Sequence, residues 1–205
     1  MKRATSVLSV QEGNPRAAIR EAARLLREGG LVAFPTETVY GLGVHLENQE
    51  AVARLYEVKG RPPEKELTLA VSKHADLKTY GVVLTPLAER LAKRFWPGPL
   101  TLVVRNKKGE TIGVRMPGHS IAQHVIEASA VPIGLPSANP SGEAPPRSAE
   151  EVRAYFQKGE IDLILDGGKT TFGVSSTVVD CSKAGWTLLR EGVISKKEIE
   201  KVCQR

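Results

Sequence analysis

Hydroxyl, carboxylate and cationic side chains in this chain gather at short motifs that each adjoin an apolar run. The first is PTETVYGLG, residues 35–43, which follows the apolar Leu31–Phe34. It supplies Thr36, Glu37, Thr38 and Tyr40. Open α/β sheets keep their ligands just past the C-terminal ends of strands, so polar groups delivered there suit a binding site. Gly41 and Gly43 are expected to let the backbone turn tightly or approach a ligand closely. Taken alone, the hydroxyls could equally satisfy local backbone groups.

Later motifs repeat the theme. Lys59 and Arg61 flank a glycine in VKGRPP; both suit anionic oxygens, though taken alone the pair reads first as the solvated C-terminal end of a helix. Arg115 closes the apolar stretch TIGV, where a guanidinium must snorkel or meet an anion. Ser137, Asn139 and Ser141 alternate through PSANPSG, a Gly/Pro-fixed loop whose small polar groups could hold ribose or phosphate oxygens. Ser175, Ser176 and Thr177 lead into a strand in GVSSTVVD, and Arg190 and Glu191 end another in LLREG.

Composition narrows the chemistry. The 205 residues are enough for one domain with its own core; 41% are hydrophobic and 25% charged, as in soluble proteins. No apolar run is long enough to span a bilayer, and the N-terminus lacks the apolar segment of a secretory signal. With only Cys181 and Cys203, no disulfide framework is available, and a reducing cytoplasm is expected. Lys plus Arg number 29 against 23 acids; the net +6 favours an anionic partner, whether nucleotide, phosphate or nucleic acid. There is no GxxxxGK[ST] and no GxGxxG, and His45, His74, His119 and His124 lack metal-ligand spacing, so no metal site is expected.

The elements that must position these groups alternate between helix and strand. Asn14-Pro15 and Thr85-Pro86 are helix starts, Asn48 caps another helix, and Ser148/Glu151 and Ser195/Glu198 fit capping boxes. In the first helix Ile19, Ala22, Ala23 and Leu26 share a face. Strands are expected at Leu31–Phe34, in LTLAV (67–71), at Leu100–Arg105, Thr111–Arg115 and Val131–Leu135, and near residues 163–165, 177–179 and 187–189. The link from Arg105 to Thr111 is too short for a crossover, so that pair is antiparallel. The fold class is therefore α/β: a single domain with a twisted mixed parallel/antiparallel sheet flanked by helices, its core at about 14–192 and a C-terminal helix at about 195–203.

In this order, PTETVYGLG, KGRP, WPGPLT, VRMP, PSANPSG, GVSSTVVD and LREG resemble the YrdC/YciO family across most of the chain. The resemblance implies a positively charged concave face on that sheet. It implies L-threonylcarbamoyladenylate synthesis from L-threonine, bicarbonate and ATP with Mg2+, pyrophosphate being released. A partner transferase would then carry the threonylcarbamoyl group to adenosine 37 of tRNA. Position by position it implies threonine contacts at Thr38, Tyr40, Arg115 and Ser176 or Thr177. It implies nucleotide contacts at Arg61, Lys65, Thr111, Ser137, Asn139, Ser141 and Arg190, with Lys59 and Arg61 as the catalytic cations. Longer members differ at Lys65, Ala70, Leu135 and Pro145. Two other functions fit the same features: a double-stranded RNA or tRNA-binding module, and a YciO-like paralogue with weak or different activity.

Overall fold

The computed structural model describes residues 4–11 and 14–204. A short strand β1 (Ser6–Ser9) precedes the first helix and already belongs to the sheet, ahead of the expected start of the core. Asn14 then caps α1 (Pro15–Arg27) by accepting from the Ala17 amide, with Pro15 in the first turn where no amide partner is needed. Its buried face is Ala18, Ala22, Ala23 and Leu26; Ile19 is half-buried.

The next segment departs from expectation. The strand β2 (Val32–Pro35) is followed by β3 (Tyr40–His45), antiparallel to it, with Phe34 opposite Gly41 and Val32 opposite Gly43. The YGLG stretch is therefore strand, not turn. Its glycines leave room for neighbouring side chains: a Cβ on Gly41 would lie 2.6 Å from Leu135 Cδ1, and one on Gly43 would lie 2.8 Å from Phe34 Cε1. Asn48 caps α2 (Gln49–Lys59), which ends on the left-handed Gly60.

LTLAV contributes only the two-residue β4 (Leu69–Ala70). Two elements unanticipated from sequence follow, α3 (His74–Thr79) and β5 (Val82–Val83), then α4 (Pro86–Phe95), capped by Thr85. The antiparallel pair β6 (Leu100–Asn106) and β7 (Thr111–Arg115) is as expected. After them come α5 (Ser120–Ser129), β8 (Ile133–Gly134), α6 (Ala149–Tyr155), β9 (Leu163–Asp166), β10 (Thr177–Asp180), β11 (Thr187–Arg190) and α7 (Lys196–Cys203). Ser195 and Glu198 form a reciprocal capping box on α7. At α6 only half of the expected box appears: Ser148 accepts from the Glu151 amide, while Glu151 accepts from the amide of Arg147.

The strands run in the order β1-β9-β2-β3-β8-β4-β7-β6-β10-β11, with β5 paired to β6, in a mixed sheet. Side-chain alternation divides this sheet into faces. Val32, Phe34, Leu163 and Leu165 pack with α1 and α5, whereas Leu31, Ala33 and Ile164 pack on the opposite side with α2 and α6. Further along, Leu100, Leu102, Val104, Val114 and Val179 pack under α3, α4 and α7. The intervening Thr101, Val103, Gly113, Arg115 and Val178 face the other way and line a cavity. One half of the sheet thus carries helices on one face and a ligand-sized hollow on the other.

Candidate active site

The hollow encloses about 250 Å3 and is walled by residues from seven regions of the chain, including Thr101 and Val103 of β6. Thr36 and Thr38 enter from the β2–β3 connection, Arg61 from just after α2, and Arg115 from the end of β7. Ser137 enters from the loop after β8, Ser175 and Ser176 from the approach to β10, and Arg190 from the end of β11. Among the expected site residues, Thr38, Arg61, Arg115, Ser137, Ser176 and Arg190 therefore share one cavity.

Arg115 lies at the cavity wall and is almost buried, with 12% of its side chain exposed. Its Nη2 donates to Glu37 Oε1 at 2.6 Å and to Thr38 Oγ1 at 2.9 Å, and its Nε donates to the Gly98 carbonyl at 3.2 Å. Thr38 in turn shares a hydrogen bond with Thr36 Oγ1 at 2.8 Å. Across the cavity, Arg190 donates from Nε and Nη2 to the Ser176 carbonyl at 3.1 and 2.9 Å, and from Nη2 to Ser176 Oγ at 3.2 Å. The outer side of Arg190 is exposed, yet its guanidinium is pushed below the usual arginine range, first by burial and then by the charge of Arg115. The Arg61 guanidinium is anchored from Nε and Nη2 on the carbonyls of Lys65 and Glu66, each at 2.9 Å. Three guanidiniums thus face one hollow. Arginine stays charged at neutral pH, so the unfavourable proximity of like charges is relieved best by an anion placed among them.

Several expected contacts lie elsewhere. Lys59 does not line the cavity. Its Nζ is buried and donates to the carbonyls of Ser137, at 2.5 Å, and Asn139. Burial, with a smaller contribution from Arg61, pushes its ammonium down to about 8. Lys59 thus ties the end of α2 to the Ser137 loop through its ammonium. Tyr40 is buried behind the cavity, where its hydroxyl donates to the Gly168 carbonyl at 2.8 Å and accepts from the Gly167 amide. Thr177 is also buried; its hydroxyl donates to the Ile194 carbonyl at 2.6 Å and accepts from the amides of Gly192 and Ile194.

The nucleotide-side expectations divide in the same way. Asn139 donates from Nδ2 to the carbonyls of Pro140 and Glu143 and shapes the loop from behind. Ser141 is exposed and outside the cavity wall, its amide bonded to the Lys59 carbonyl at 2.6 Å. Lys65 is exposed and contributes its backbone carbonyl to Arg61. Thr111 pairs with Arg105 at the opposite end of β7 from Arg115, an exposed position remote from the cavity wall. Asn139 thus engages backbone carbonyls, while Ser141, Lys65 and Thr111 lie outside the cavity wall.

Thr68, Glu66 and Thr101 also line the wall without belonging to any of the polar motifs, and the Thr101 hydroxyl shares a 2.9 Å hydrogen bond with Ser176. Thr101 had one legible signal, a hydroxyl alternating with Leu100 and Leu102 on an otherwise apolar strand. Glu37 was visible between two threonines, but its role depends on Arg115, far away in the chain. Among the described residues no group of three His, Cys, Asp or Glu side chains is placed to hold a metal ion.

Comparison with known proteins bears on the whole domain. The Sua5/YciO/YrdC family model, described as "Telomere recombination", matches residues 24–192. A Pyrococcus abyssi protein named threonylcarbamoyl-AMP synthase is 45% identical over 207 residues, covering 97% of this chain and 61% of that protein. The chain thus spans about three-fifths of that relative's length. The structure of P. abyssi Sua5 complexed with L-threonine superposes with a TM-score of 0.91 at 46% identity, covering 97% of this chain and 61% of the other. Escherichia coli YciO superposes with a TM-score of 0.82 at 28% identity, covering 97% of this chain and all of the other. With its fold, its ordered motifs and the matched span in agreement, the chain belongs to the Sua5/YciO/YrdC family.

Proposed function

We propose that this chain forms threonylcarbamoyl-AMP and pyrophosphate from L-threonine, bicarbonate and ATP. The observation that carries this reading is the convergence of Arg61, Arg115 and Arg190 with the hydroxyls of Thr38, Ser137 and Ser176 on one hollow. Such a set suits substrates rich in anionic oxygen with a small hydroxylated component. In the first step the threonine amine, as free base, attacks the carbon of CO2 derived from bicarbonate. A C–N bond forms and the amine proton passes to solvent. A carbamate oxygen then attacks the α-phosphorus of ATP, and the bond to the pyrophosphate oxygen breaks. Carboxylate, carbamate and triphosphate repel one another throughout. Fixed guanidiniums lower that barrier by meeting the charge where it accumulates. Arg115 is assigned to the threonine carboxylate, Arg61 and Arg190 to the nucleotide, and Ser137 to the nucleotide side of the wall. Mg2+ carried by the phosphates of ATP would offset part of their charge beside Arg61 and Arg190.

The proposal treats residues 1–205 as one catalytic domain in the cytoplasm, supplying a partner transferase that acts on tRNA; the net +6 charge supports additional contact with the RNA. No described helix is long and apolar enough to cross a membrane. The test is pyrophosphate release by purified protein with ATP and Mg2+. Release only when threonine and bicarbonate are both present is the expected result; release independent of either would refute the assignment. A YciO-like paralogue is the second reading. It draws on Ala70, which presents a bare methyl to the cavity where some longer members carry a threonine-contacting His, and it predicts slow or absent release.

A further inference from the structure

Glu37 is 6% exposed and lies outside the cavity wall, immediately behind it. Its two carboxylate oxygens are both committed. Oε1 accepts from Arg115 Nη2 at 2.6 Å, and Oε2 accepts from the Gly118 amide at 2.9 Å. Its backbone carbonyl accepts from the Phe172 amide at 2.9 Å. One residue therefore joins the end of β7, the turn that follows it, and the segment leading to Ser175 and Ser176. A buried carboxylate is costly to hold unless its charge and oxygens are met, and here a guanidinium meets the charge and each oxygen accepts one hydrogen bond.

We propose that Glu37 is the positioning residue for Arg115: it fixes the guanidinium plane so that the remaining donor edge faces the cavity and receives the substrate carboxylate. It acts through Arg115 and touches no substrate. The inference rests on the proposed function for the identity of that substrate, and on geometry alone for the orientation of Arg115. Three donors determine the plane. The Gly98 carbonyl takes Nε, while Glu37 and Thr38 together take Nη2. Glutamine at position 37 would keep the shape but present an NH2 group to either Arg115 or Gly118. One of the two donors must then turn away, and the guanidinium loses its only charged anchor among the described residues.

The experiment compares wild type, Glu37→Gln, Glu37→Asp, Arg115→Ala and the Glu37→Gln/Arg115→Ala double variant. Calorimetry measures L-threonine and ATP binding, and nitrogen-15 NMR follows the guanidinium Nε–H signal that Arg115→Ala removes. The expected result for Glu37→Gln is threonine affinity weakened about tenfold or more, the scale of a misdirected charge-assisted hydrogen bond, with ATP affinity within about threefold of wild type. The Arg115 signal should broaden or shift to its exposed position. Glu37→Asp, which keeps the charge, should recover part of both. In the Arg115→Ala background, Glu37→Gln should add no further loss. An unchanged Arg115 signal in folded Glu37→Gln overturns the inference, as does a further loss of threonine affinity in the double variant. If wild type binds no threonine, the proposed function fails, and the NMR signal still decides the role of Glu37.

Discussion

The three arginines of the cavity are not equivalent, because each spends different donors on the protein. Arg61 rests on two backbone carbonyls only, so its charge is uncompensated by any carboxylate contact among the described residues. Arg61→Ala should lower turnover on the order of a hundredfold, the scale of losing one transition-state donor, with little change in stability. Near-wild-type pyrophosphate release from the folded variant would count against its assignment to the phosphates. Arg115 is instead paired with Glu37, and Arg115→Ala should chiefly weaken threonine binding; an unchanged threonine affinity by calorimetry would refute that role. Lys59 behaves differently again. Its folded pKa of about 8 lies below the usual lysine value, so the unfolded chain holds this proton more tightly. A charged Lys59 therefore opposes folding most fully below pH 8, and the cost fades as pH rises from 8 toward the unfolded value. Measured by urea denaturation, wild type should gain about 2 kcal/mol of stability relative to Lys59→Met between about pH 7 and pH 9.5. Parallel pH profiles for the two proteins would mean that the ammonium titrates as if in water.

At the scale of elements, the site depends on how closely segments approach. Gly192 follows β11, and a Cβ there would lie 2.2 Å from the Ser175 carbonyl oxygen and 2.6 Å from the Ser176 carbonyl carbon. Those are backbone atoms that cannot swing aside. Gly192→Ala should cost about 1–3 kcal/mol by overpacking and should separate Arg190 from Ser176, so activity should fall by more than stability alone explains. Gly60 offers the contrast: its φ is +55° with nothing within 4 Å, so Gly60→Ala should cost only about 1 kcal/mol of backbone preference. Denaturant melts and pyrophosphate assays on both variants separate these cases. The same contrast explains what sequence could reveal. Caps at Asn14, Asn48, Thr85 and Ser195 are local chemistry, and each begins a helix as expected. β3 was hidden because its glycines signal a turn, and only Leu135 and Phe34, distant or across the hairpin, explain them as strand residues. α3 and β5 were hidden because six and two residues are too short to establish a period. Arg61, Arg115 and Arg190 could be singled out as types at strand or helix ends. Whether a polar group faces the hollow or a backbone partner depended on long-range register: Lys59 meets carbonyls 78 and 80 residues away.

For the whole molecule, the cavity wall draws on segments from Thr36 to Arg190, so a ligand there touches most of the chain's length. Threonine and a non-hydrolysable ATP analogue should therefore stabilise the folded chain as a unit and not one loop. At about a hundredfold excess over its dissociation constant, each ligand bound independently adds about 2.7 kcal/mol. For a chain of this size that corresponds to a rise of roughly 5–10 °C in the thermal midpoint per ligand. Salt separates this reading from that of an RNA-binding module. Few charges are engaged by a nucleotide, and the cavity walls shield them, so raising salt from about 50 to about 200 mM should reduce the ATP-analogue shift only modestly. Binding to a phosphate backbone through many exposed Lys and Arg side chains would fall by about 10³–10⁵ over the same range if six to ten phosphates were contacted. A midpoint raised by threonine and the analogue, additive and tolerant of salt, is the expected outcome. A chain indifferent to both but stabilised by duplex RNA in a strongly salt-dependent way would move the function from the hollow to the outer surface.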